Sequence, residues 1–99
     1  MNFGESGGFL SETDNRERSE NVLIKLNTAE KAQVFSEFCA QHFAEEIDVR
    51  QGRYVVNAKS VLGVFSLNLL EPIEVVIFTT NRESEQTLRT FLEEEGVMI

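Results

Sequence analysis

The side chains able to do covalent or acid–base chemistry are few and scattered. The chain has one cysteine, Cys39, and one histidine, His42, so no disulfide closes within it and no Cys/His zinc quartet can be assembled. Glu45-Glu46 and Glu93-Glu94-Glu95 offer neighbouring carboxylates. Residues adjacent on a helix fan around its surface, and no further ligand stands at a metal-binding spacing, so these acids read as solvated faces and no metal is expected. Gly4, Gly7 and Gly8 precede no strand–helix pair, and Gly52 and Gly63 stand alone. No phosphate-cradling loop results, and no cofactor is indicated.

Charge and length narrow the function classes further. Nine Lys and Arg stand against 17 Asp and Glu, a formal charge of -8 with a pI near 4.6. Such a chain lacks the positive surface that phosphate backbones and anionic membranes recruit, so nucleic acid and membrane are poor partners for it. At 99 residues it is one small domain, and a two-domain enzyme is ruled out. Eight Phe and 41% hydrophobic residues make a packed core workable without a covalent staple. Neither an 18-residue apolar run nor a charged-then-apolar leader is present. The expectation is a cytoplasmic protein that is not an enzyme.

The elements that must position any site follow from periodicity. Residues 1–20 hold three of the six glycines and only scattered apolar side chains, without a period, and read as a mobile tail in which Phe3, Phe9 and Leu10 form at most a short sticky motif. Residues 21–99 form the domain. Val22 to Leu26 is a β-rich run that stops at Asn27-Thr28, and Asn27 with Glu30 resembles a capping box. Ala32, Phe35, Phe38, Cys39 and Phe43 then recur at helical spacing. Ile47 and Val49 alternate with Asp48 and Arg50, and the alternation resumes at Tyr54-Val55-Val56, which predicts a hairpin around Gln51-Gly52-Arg53. Ser60 is a good N-cap for a short helix over Val61 to Leu67, with Pro72 marking the exit. Ile73 to Phe78 is the most strand-like segment, and the stretch from Asn81 reads as a helix with acidic residues in its first turn, Leu88, Phe91 and Leu92 on one face and Gly96 as its stop. The order βαββαβα predicts an α+β layer, an antiparallel sheet covered on one face.

That order, together with Lys59-Ser60-Val61-Leu62-Gly63-Val64-Phe65-Ser66-Leu67, resembles the HPr family, the small phosphocarrier proteins of the bacterial sugar phosphotransferase system. Members typically carry Lys-Ser, an apolar pair, Gly, two apolar residues and Ser-Leu. The likeness extends more weakly from Val22 to about Glu95. It implies an open-faced β-sandwich, a four-stranded antiparallel sheet in the order 1-4-2-3 with three helices on one face.

HPr proteins work through a histidine just before the first helix, followed by a small residue, Arg and Pro. Here the matching position holds Ala29, or Thr28 with a one-residue shift, and Lys31 stands for the arginine. Alanine has no nucleophile and threonine is a weak one without a base, so the carrier chemistry is not expected. Glu30 sets a carboxylate in the dipole field that should receive a phosphoryl group. Lys31 retains a residual charge at the phosphate site but not the planar fork of arginine. His42 falls near the far end of the same helix, where a cation suits the carbonyls and a phosphate does not, and Cys39 lies on the apolar stripe as a buried hydrophobe.

Two features remain for function. The serine matching Ser60 is phosphorylated by a dedicated kinase in many members, and the phosphoserine form binds a transcriptional regulator. The resemblance therefore implies regulatory phosphorylation at Ser60, beside the plainer role of a helix cap. Family members also dock partners through residues matching Val61, Leu62 and Phe65. The expected partners are proteins: a serine kinase, a transcriptional regulator or phosphotransferase components. Two alternatives stand beside this regulatory or interaction module. One is a divergent phosphocarrier in sugar phosphotransfer, and the other is a small-ligand-binding α+β domain.

Overall fold

A computed structural model describes residues 18–99. Its first strand, β1 (Arg18–Ile24), begins three residues before the domain boundary expected at Asn21; the tail reading and the motif of Phe3, Phe9 and Leu10 lie outside the described residues. Helix α1 (Ala29–His42) follows, then the hairpin β2 (Glu46–Gln51) and β3 (Tyr54–Asn57). The short helix α2 (Val61–Phe65), strand β4 (Ile73–Phe78) and helix α3 (Arg82–Glu95) complete the order βαββαβα. The four strands form one antiparallel sheet in the order β1-β4-β2-β3, so the 1-4-2-3 arrangement holds.

Register explains which side chains face inward. Val22 pairs with Val75, Val75 with Val49, and Val49 with Val56, so one row of valines crosses all four strands on the helix-covered face. Ile47 pairs with Ile77 and Ile24 with Ile73 on the same side. These residues pack in one cluster with Ala32, Phe35 and Cys39 of α1, Val64 of α2, and Leu88 and Leu92 of α3. The period of two in the strands meets the period of 3.6 in the helices, and the apolar side chains of both are removed from water together. The opposite face carries Leu23, Val55, Glu74 and an Asp48–Arg50 ion pair at 3.3 Å.

The start of α1 departs from the capping box expected at Asn27 and Glu30. Thr28 is the N-cap, and its hydroxyl accepts a hydrogen bond from the Lys31 N–H at 3.1 Å. Asn27 instead takes a left-handed φ of 70°, which Asn tolerates better than most residues, and this turns the chain from β1 into the helix. Two elements stop short of expectation, β1 at Ile24 rather than Leu26 and α2 at Phe65 rather than Leu67, whereas the ends of α3 follow local chemistry. Asn81 caps α3 by accepting from the Glu83 N–H, and Gly96 ends it at φ 71°.

Candidate functional site

Helices α1 and α2 run in opposite directions along one edge of the helical layer. The segment just after α2 lies against the start of α1, where the Asn27 N–H donates to the Leu69 carbonyl at 2.8 Å. The segment just before α2 lies against the end of α1, where Lys59 Nζ donates to the Phe43 carbonyl at 2.6 Å. Ser60 and the Thr28-Ala29 position are therefore brought to opposite ends of the helix pair. The C-terminal end of α2 and the start of α1 share an edge.

Ser60 caps α2. Its exposed Oγ accepts a hydrogen bond from the Gly63 N–H at 3.1 Å. The glycine in the Lys59–Leu67 run has a steric reason: a Cβ at Gly63 would stand 3.2 Å from Ser60 Oγ and 3.3 Å from the Val56 side chain. A residue without one spares Ser60 and Val56 that tight contact. Val64 and Leu67 turn inward and are buried, whereas Leu62 remains 80% exposed and Phe65 39% exposed on the outer side, with Val61 half-buried between them. Leu70, 66% exposed, extends the apolar surface toward the α1 start. Sequence reading missed it; of the Leu69-Leu70 pair in the turn before Pro72, Leu69 packs on the core and Leu70 does not.

The charges near this edge are committed elsewhere. Lys31 Nζ donates to the Glu95 carbonyl at 2.8 Å and lies 3.9 Å from its carboxylate, so it closes the last turn of α3. Lys59, held on the Phe43 carbonyl, does the same for α1. Ala29 is exposed at the start of α1 and has no reactive group, and Thr28 spends its hydroxyl on the cap. His42 is exposed in the last turn of α1, with its ring centroid 4.3 Å from that of Phe38. Cys39 is fully buried, and burial pushes its thiol up to about 12 against the weaker opposing pull of Lys59. A thiol in that state is not a nucleophile at neutral pH.

One polar cluster has no counterpart in the sequence reading. Glu45, just beyond α1, accepts hydrogen bonds from Ser84 Oγ at 2.5 Å and Thr79 Oγ1 at 3.3 Å. The Ser84 hydroxyl, aided by backbone and Thr79 donors, holds the Glu45 carboxyl below its usual range. The partners lie 39 and 34 residues away, so no local pattern announces them. Among the described residues no group of His, Cys, Asp and Glu is arranged to hold a metal ion, and no helix is long and apolar enough to cross a membrane. No protein-family model matches the chain, and no curated protein matches it.

Proposed function

We propose that this chain is an HPr-like protein without histidine phosphocarrier activity that acts as a protein-interaction module through the outer side of α2. The carrying observation is that Leu62 and Phe65 on α2 and Leu70 just after it are exposed large apolar side chains. Side chains of this kind gathered at one edge are characteristic of docking surfaces. The Lys59–Leu67 run, the 1-4-2-3 sheet and the element order support the family reading. A module that keeps the docking surface and lacks the nucleophile competes with a phosphocarrier without taking its phosphate.

A reconstituted reaction tests this directly, with phosphoenolpyruvate, the general phosphotransfer enzyme and an ordinary HPr. The chain is expected to acquire no acid-labile phosphate and to slow labelling of the HPr, and Leu62→Asp is expected to relieve that inhibition. Labelling of the chain itself would select the divergent phosphocarrier. Absence of competition together with saturable stabilisation by a metabolite would select the small-ligand domain.

Regulation at Ser60 forms the second layer of the proposal, favoured by the exposure of its Oγ. A phosphate there would accept from the same Gly63 N–H that the hydroxyl now holds. Incubation with the serine kinase that modifies ordinary HPr, and ATP, checks it. Failure to label this chain while an HPr control is labelled removes the regulatory layer and leaves the docking proposal standing.

A further inference from the structure

On a different surface, where α1 meets α3, the Phe38 and Phe91 rings stack face to face with centroids 3.8 Å apart and planes 3° from parallel. Both rings are only half-buried. They line a groove of about 340 Å³ that also takes in Thr87 and Thr90, with Glu83 and Glu94 toward its two ends. Residues 83, 87, 90, 91 and 94 recur at helical spacing, so the groove follows α3 for about 16 Å at roughly 1.5 Å per residue.

We infer that this groove receives a basic amphipathic helix of a partner protein, its apolar stripe on the Phe38–Phe91 stack and its lysines or arginines at Glu83 and Glu94. Three observations favour that occupant. The groove is open along its length, and a small molecule lying in it would not bury most of its surface, as tight small ligands do. A helix laid alongside α3 meets it as an amphipathic helix meets a groove, through apolar side chains three and four residues apart. Its charged lining among the described residues is acidic only. A second copy of this chain is disfavoured by the same charge, since each copy carries -8. None of this depends on the α2 docking surface.

The test uses the full chain and a synthetic 18-residue helical peptide of leucine and lysine, with a leucine–glutamate peptide of the same pattern as control. The lysine peptide is expected to bind 1:1 by fluorescence anisotropy, weakening at least fivefold when salt rises from 50 to 300 mM, by the screening of exposed charge pairs. The glutamate peptide is expected not to bind. Thr90→Lys, at an exposed position in the groove, and the double variant Glu83→Lys with Glu94→Lys are each expected to weaken binding at least tenfold. Glu71→Lys, in the turn after α2, is expected to leave it within twofold. Amide NMR shifts should cluster on Phe38, Gln86, Thr90 and Phe91. Equal loss in Glu71→Lys would reduce the binding to unspecific charge attraction. Shifts centred on Leu62 and Leu70, or self-association of the free chain through this groove, would overturn the assignment.

Discussion

Helices α1 and α2 lie side by side, yet α1 buries a whole apolar stripe and leaves Val34 exposed, whereas α2 buries a single residue. Along α1, Ala32, Phe35 and Cys39 are buried and Phe38 packs partly against Phe91. On α2 only Val64 is buried, while Leu62 points to water. A five-residue helix can present one residue to the core and still be held, provided its cap and its approach to the sheet are tight. The lesson is a division of labour: α1 stabilises the domain, and α2 is held in place by contacts on one side so that its other side is available.

The sharpest way to break that comparison is to truncate each helix on its telling side. Phe35→Ala is expected to cost about 3–5 kcal/mol, measured by urea unfolding. That is much of the stability of a domain this size. A loss below about 1 kcal/mol would mean that α1 is not the anchor. Gly63→Ala comes next: Ser60 or Val56 must give by a few tenths of an ångström, and the helix propensity that alanine gains offsets part of the crowding, so a net loss of up to about 2 kcal/mol is expected. A net gain in stability would show that Ser60 and Val56 yield to the methyl without cost.

Ser84→Ala probes how the exit of α1 is tied to α3, and about 1 kcal/mol is expected, since the Glu45 carboxylate is partly solvated. The folded pKa of Glu45 lies below its usual value. Its contribution is therefore present above the ordinary carboxylate range and is lost as pH falls through the depressed folded value. The difference between the parent chain and Ser84→Ala, measured by thermal unfolding, should narrow as the medium is acidified from neutral. A constant difference would assign the loss to packing. The smallest effect belongs to Leu62→Ser, expected within about 0.5 kcal/mol of the parent. A large loss there would make Leu62 part of the core and would remove the docking surface.

What sequence alone could reach depended on the range of the interaction. Strand β4 was legible to the residue because all of Ile73 to Phe78 except Glu74 is β-branched or aromatic, and the cap at Ser60 and the stop at Gly96 were legible because each is local chemistry. The start of β1 was not, since Arg18-Ser19-Glu20 carries no apolar signal and is strand only through pairing with β4. At the start of α1 two adjacent residues were both good caps, and the left-handed turn at Asn27 decided for Thr28. Ser36, buried in α1, interrupts the expected apolar stripe. In the site, the opposite exposures of Val64 and Leu62 followed from spacing on a helix. The engagement of Lys31 by α3 and of Lys59 by the end of α1 did not, because each joins segments far apart in the chain.

The residues after Gly96 form a short strap against the first strand. Ile24 bridges to Met98, Lys25 N–H donates to the Val97 carbonyl and Ile99 N–H to the Leu23 carbonyl. An unpaired strand margin is a template on which another chain can polymerise. Three residues are enough to occupy these backbone groups, and Val97 fixes the strap by burying its side chain in the core. The Leu23–Lys25 stretch of that margin is thereby closed to another chain, and what guards it is the register of three backbone groups rather than any charge or proline.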